Sequence, residues 1–252
     1  LGRCAGAELV WARVASVKEE GPPETLFDLS TASGNFVANG VLVHNCDMND
    51  IFGVWVPDEW IDRCFAVMAL TPQHTHMILT KRAERMRQYI HTNNRQSYVV
   101  AEMNKLDLSK NRYIRSRDVG EKWPIPNVWL GVSVEDQERA DERIPLLLQI
   151  HATIRFVSAE PLLGPVNLRL GNSEGLPTEH EPCRERHYLL HWLIAGGESG
   201  SQARPCDVAW IRSLIEQCKA AGVPVFVKQD SGRMPGMQGQ IPDELWIKEY
   251  PE

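Results

Sequence analysis

The sequence predicts an all-β segment over residues 1–45 and, over residues 46–252, an α/β chain whose parallel strands build part of a TIM-like barrel. Three observations lead there. Residues 1–45 hold only short β-prone runs divided by turn signals, with no helical stripe. From Cys46 the chain alternates apolar strands with helices, the pattern of a parallel sheet joined by crossovers. Each of those strands ends in polar residues, which parallel topology would gather on one rim.

In the first part, "LVWARVASV" is rich in branched and aromatic residues and reads as a strand, "EEGPPE" as a turn and "TLFDLS" as another strand. "TASGN" is a turn again, and "FVANGVLVHN" is a hairpin, because Asn39-Gly40 favours the tight turns that match strand twist.

In the second part, "PDEWIDRCFAVMAL" (57–70) has Pro in its first turn and apolar residues at 60, 61, 64, 65, 67 and 68, a helical stripe. "HMILTKR" is a short buried strand, and "AERMRQYIHT" and "SYVVAEMNKL" are helices. "NVWLGVSVED" is a strand, and "DQERADERIPLLLQI" a helix that should break near Pro145. "TIRFVSAEP" and, after a polar loop at 171–187, "HWLIAGGESG" are strands. Asp207 and Gly222 bracket a helix as N-cap and C-terminal stop, and "VPVFVKQ" is the last strand. Trp55, Trp60, Trp129, Trp192 and Trp210 fall in regular patterns and are expected in the core.

Composition bounds the function. With 252 residues, 43% of them hydrophobic, there is enough apolar material for one sizeable core or two smaller ones. A net charge of −6 argues against a protein that coats nucleic acid, although the basic stretch "NKLDLSKNRYIRSRD" (104–118) leaves a local contact open. No run of about 18 apolar residues could span a membrane, and no signal peptide stands at the start. Six cysteines without C-x-x-C pairs read as reduced thiols, so a cytoplasmic protein is expected. A start at Leu1, inside a β-like run, suggests a fragment. His180, Cys183, His187 and His191 have metal-like intervals, but a polar loop entering a strand shows the same letters, and no metal is assigned.

The chemistry concentrates where the two parts meet. An asparagine carboxamide can attack its own backbone carbonyl, closing a succinimide and cutting the chain behind it. The reaction needs a donor for the carbonyl oxygen and a proton for the departing amine, and a neighbouring histidine supplies either. A cysteine just after the asparagine is a nucleophile able to carry an acyl group. His44, Asn45 and Cys46 are therefore the parts that cleavage coupled to acyl transfer requires.

The run "FDLSTASGNFVANGVLVHN" followed by Cys, with "WARVASV" before it, resembles the C-terminal splicing region of inteins. The resemblance implies an all-β, Hedgehog/intein-type segment at 1–45, in which Asn45 cyclises, His44 assists and Cys46 is the first residue of the C-extein. Gly34 stands where many inteins carry a histidine. The N-terminal half of an intein, with its initiating nucleophile, is not in this sequence. The implied partner is that half, joined upstream or acting in trans.

Residues 46–252 resemble the phage gp-thirty-seven/sixty-eight family through "DMNDIFG", "VPDEWIDRCFAVMALTPQHT", "ILTKRAERM", "RFVSAEPLLGPV", "GGESG" with "ARP", and "AGVPVFVKQ". That family looks like a relative of the radical S-adenosylmethionine barrels. The resemblance implies an iron–sulfur cluster and S-adenosylmethionine in the reassembled host protein, with cluster ligands outside this chain.

Read from the residues alone, the expected rim comprises Asp47, Asn49 and Asp50, then Thr80, Lys81 and Arg82, then Ser133, Glu135 and Asp136. Ser158 and Glu160, Glu198 and Ser199, and Lys228 and Gln229 complete it. Cations and carboxylates at one mouth suit a polar ligand bearing phosphate or adenosine. Three readings stand at this point: a self-processing segment attached to its host protein, a conventional α/β-barrel enzyme with a β-rich accessory domain, and a module that binds nucleic acid or a partner without chemistry.

Overall fold

The computed structural model describes residues 50–105, 122–170 and 190–251, together with the backbone of two strands at 35–38 and 41–44. The chain divides into two compact units, Leu1–Asn49 and Asp50–Glu252.

In the first unit, β1 (Asn35–Ala38) pairs antiparallel with β2 (Val41–His44), Ala38 facing Val41 and Asn35 facing His44. The Asn-Gly signal lies between them. The strands expected in "WARVASV" and "TLFDLS" lie outside the described residues.

The second unit runs α1 (Asp58–Ala69), β3 (His76–Thr80), α2 (Ala83–His91), α3 (Arg95–Lys105), β4 (Val128–Ser133) and α4 (Gln137–Leu148). It continues with β5 (Ile154–Ala159), β6 (Trp192–Gly196), α5 (Val208–Ala221), β7 (Val225–Gln229) and a 3-10 turn at Asp243–Leu245. The five strands lie side by side in chain order, β3-β4-β5-β6-β7, and every pair is parallel.

This topology corrects the expected fold class. The described residues form an α/β fold with an open five-stranded parallel sheet whose edges are β3 and β7, not an all-β domain followed by a partial TIM-like barrel. Within 1–45, the described strands make one two-stranded hairpin. Polar strand ends could not separate the two sheet forms, because open parallel sheets also collect their functional loops at the carboxyl ends.

Side chains alternate across the strands and build two different interiors. On one face Leu130, Val132, Val157, Leu193, Ala195 and Val227 are buried against Ile144 and Leu147 of α4 and Ile211, Leu214 and Ile215 of α5. The opposite face is aromatic. Trp192 packs edge-on to Trp129 at 6.0 Å and to Phe226 at 6.1 Å, and Phe156 and Tyr250 close the cluster. The Trp192 indole N–H donates to the Glu249 carbonyl at 2.9 Å, which ties the C-terminal segment to this face. Gly131 sits beside Phe156 in register, and a Cβ there would stand 2.4–2.6 Å from that ring.

Away from the sheet, α1 and α3 are clamped by a buried ion pair. Arg95, 4% exposed, donates to both Asp62 oxygens at 2.8 and 3.0 Å and to Asp58 at 2.6 Å. The Tyr89 hydroxyl also donates to Asp62, at 2.7 Å. The pair is thus fully hydrogen-bonded, the condition under which a buried charge is tolerated.

Local signals are met at several points. Asp207 accepts from the Ala209 N–H at 2.8 Å, and Gly222 ends α5 at φ 68°, where a Cβ would be strained. Two expectations fail. α4 continues through Pro145, whose exposed ring faces solvent, so the helix loses only one backbone hydrogen bond instead of breaking. Trp55 and Trp60 are 61% and 44% exposed, not core residues; Trp55 lies under the Arg82 guanidinium at 4.9 Å.

Replacing Gly131 by Ala should cost about 1–3 kcal/mol in a urea titration, the usual penalty for overpacking. Adding Phe156→Leu should recover part of it. An unchanged midpoint in Gly131→Ala would contradict the packing described.

Candidate functional site

Because all five strands are parallel, their carboxyl ends share one side of the sheet. Lys81 follows β3 directly, Glu135 stands two residues past β4, Glu160 one past β5 and Glu198 two past β6, while Lys228 lies near the end of β7.

Three ion-paired groups result. Lys81 Nζ lies 2.6 Å from Glu135, whose other oxygen accepts from Arg143 Nη1 at 3.0 Å. Lys228 Nζ pairs with Glu160 at 3.1 Å. Glu198 takes two hydrogen bonds from the Arg204 guanidinium, at 2.6 and 2.9 Å, and a third from the Arg204 backbone N–H at 2.9 Å. Buried Ser133 lies between the first two groups, with its hydroxyl 3.5 Å from Glu135 and 3.3 Å from the Glu160 carbonyl.

The charges are tuned unequally. Burial raises the Glu135 carboxyl, but the Lys81 hydrogen bond and the Arg143 charge outweigh it, and the net shift is downward. Glu198 is held down to about 2, chiefly by the Arg204 side chain and backbone. Arg204 is raised in turn by Glu198, and Glu135 adds to that, so the groups share one field.

Asp50 sits at the β3 end of this rim. Its carboxylate accepts from Thr80 Oγ1 at 2.5 Å, the Lys81 N–H at 3.2 Å, Arg82 Nη1 at 3.1 Å and the Phe52 N–H at 2.9 Å. Asp50, Thr80, Lys81 and Arg82 are thus brought together, and Lys81 links them to Glu135.

Other expected rim residues have structural work. Asp136 caps α4 by accepting from the Arg139 N–H at 2.9 Å. Gln229, 1% exposed, bridges the Gly197 carbonyl and the Gly236 N–H. Ser158 is buried within β5. Ser199 is exposed and bridges in register to Gly232. Asp47, Asn49, Asn45 and Cys46 lie outside the described residues, and of His44 only the backbone is described.

The residues missed in the sequence are Arg143 and Arg204. Arg143 lies eight residues after Glu135 on the helix that follows it, a spacing that can return a side chain to the strand end. Arg204 lies in the "ARP" stretch, and only its six-residue separation from Glu198 hinted at a closing loop.

Among the described residues no group of three or more His, Cys, Asp or Glu could hold a metal ion. The described cysteines Cys64, Cys206 and Cys218 are separate free thiols. Burial pushes them up to about 11, 11 and 12. His191 uses Nδ1 to accept from the Arg155 N–H at 3.0 Å. Burial first, then the Arg155 charge, lowers it to about 4. The rest of the metal-like stretch lies outside the described residues. No described helix is long and apolar enough to cross a membrane.

Fold and rim together define an α/β protein with a charged, polar mouth at the carboxyl ends of its strands. The chain belongs to the family described as proteins of unknown function, DUF5131, whose family model matches residues 32–241. No curated protein and no solved structure gives a significant match.

Exchanging Lys81 for Met removes the hydrogen bond that does most to hold the Glu135 carboxyl down, so that carboxyl should titrate at higher pH in a carbon-detected NMR titration. A lowered carboxyl stabilises the fold above its ordinary value of 4.5, and that stability disappears as pH falls. Lys81→Met should therefore unfold at a higher pH on acidification. An unmoved Glu135 titration would contradict the pairing.

Proposed function

We propose that this chain is the downstream part of a self-splicing precursor: residues 1–45 are the C-terminal segment of an intein, and Cys46 begins its C-extein. The observation that carries the reading is the triplet His44-Asn45-Cys46, placed where a strand ends and a different fold follows. The described hairpin supports it. β2 runs to His44 and is held in register by β1, so the described strand ends at the residue before Asn45.

In the proposed reaction, the Asn45 side-chain nitrogen attacks the Asn45 backbone carbonyl carbon. The new C–N bond closes a succinimide, and the bond from Asn45 to Cys46 breaks. His44 protonates the leaving Cys46 amine or donates to the carbonyl oxygen. An acyl group carried on Cys46 Sγ then passes to the freed amine, giving an ordinary peptide bond and restoring the thiol.

The host part is read as a domain that binds a polar small molecule bearing phosphate or adenosine at the Lys81, Glu135, Glu160, Arg204 and Lys228 rim. Its resemblance to the phage gp-thirty-seven/sixty-eight family supports an S-adenosylmethionine-linked role, with any cluster ligands supplied outside this chain. The family match favours one competing reading. It begins at residue 32, ahead of the junction, as it would if residues 1–45 were a retained accessory segment.

With the full-length precursor, mass spectrometry should find residues 1–45 released and Cys46 ligated to the upstream segment. Asn45→Ala should abolish cleavage at Cys46, and His44→Ala should slow it by about 100-fold or more, the usual contribution of a positioned acid or base. An unreacted wild-type precursor, identical to Asn45→Ala, would overturn splicing and leave the accessory segment.

A further inference from the structure

We propose that the outer edge of β3 is a docking site for one more parallel strand, supplied by the segment that splicing joins to Cys46. The inference rests on the splicing reading and goes beyond it, because it says how the upstream segment completes the sheet.

The first observation is the grammar of the connections. β3 reaches β4 through α2 and α3, β4 reaches β5 through α4, and β6 reaches β7 through α5, each time from one strand to its parallel neighbour. α1 has the same place before β3 and is clamped to α3 by Asp62 and Arg95, yet no strand precedes it among the described residues of its unit. A helix in that position is half of a crossover, and the missing half is a strand beside β3.

The second observation is where the unit begins. Asp50 is bonded to Thr80, Lys81 and Arg82, at the carboxyl end of β3. A preceding parallel strand would finish on that same side. Residues 46–49 span at most about 14 Å, whereas neighbouring strands lie about 4.8 Å apart. Cys46 can therefore directly follow a strand seated beside β3.

The third observation is the edge itself. The His76 N–H donates to Asn127, which turns His76, Ile78 and Thr80 toward β4. By alternation the backbone groups of Met77 and Leu79 point to the other side. Met77 is 45% exposed, on a strand whose parallel type is normally covered. The fitting occupant is an extended, largely apolar strand whose carbonyls receive the Met77 and Leu79 N–H groups.

Hydrogen exchange read by NMR on three proteins tests this: residues 1–252, the spliced product, and the unspliced Asn45→Ala precursor, with ligation followed separately by mass. The Met77 and Leu79 amides should exchange on the order of 100-fold more slowly in the spliced product than in residues 1–252, as an edge becomes an interior strand. Ligated product in which both amides stay fast overturns the docking while leaving splicing intact. Slow exchange already present in residues 1–252 overturns the named occupant, since the chain's own residues then cover the edge. Absence of ligated product removes the splicing reading and this occupant with it.

Discussion

The Asp50 carboxylate is the constraint on which the second unit turns. Four donors converge on it: the Phe52 and Lys81 N–H groups, the Thr80 hydroxyl and the Arg82 guanidinium. Through these bonds Asp50, the first described residue of the unit, is tied to the carboxyl end of β3. The tie determines where the second unit begins and where α1 starts its return. A carboxylate that accepts several hydrogen bonds from fixed donors is hard to replace, because an amide in its place would set one donor against another.

The rim beyond Asp50 is an arrangement of paired charges. Each cation, Lys81, Lys228 or Arg204, already has a carboxylate within 3.1 Å. The exposed members of such pairs contribute little to stability, commonly about 0–1 kcal/mol. They can therefore exchange partners cheaply when an anionic ligand arrives. Arg143 differs, being buried and bonded to both Glu135 and the Ser133 carbonyl, so it holds Glu135 in place while Lys81 remains free to move.

Much of the second unit was legible because its signals are local. The stripe at 57–70 gives α1, Asp207 and Gly222 give the ends of α5, and five apolar runs give the five strands. What was not legible depends on the third dimension. Open and closed parallel sheets share the same order of elements, so an expected barrel became an open sheet. Trp55 and Trp60 looked like core residues from their letters alone, but the solvated start of α1 and its loop carry them. Pro145 sits mid-helix because its ring points outward. Glu135, Glu160, Lys81 and Lys228 were found from their places at strand ends, whereas Arg143 and Arg204 reach the rim by a helix return and a loop closure that spacing only hints at.

Splicing requires residues 1–45 to be removed and residue 46 to be retained. Peptide mapping of the mature protein isolated from its native cells tests this most directly. A peptide in which Cys46 is joined to a residue other than Asn45, with no peptide from residues 1–45 in the same protein, is the predicted result. A peptide that carries Val43, His44, Asn45, Cys46 and Asp47 in unbroken order through the mature protein would contradict it.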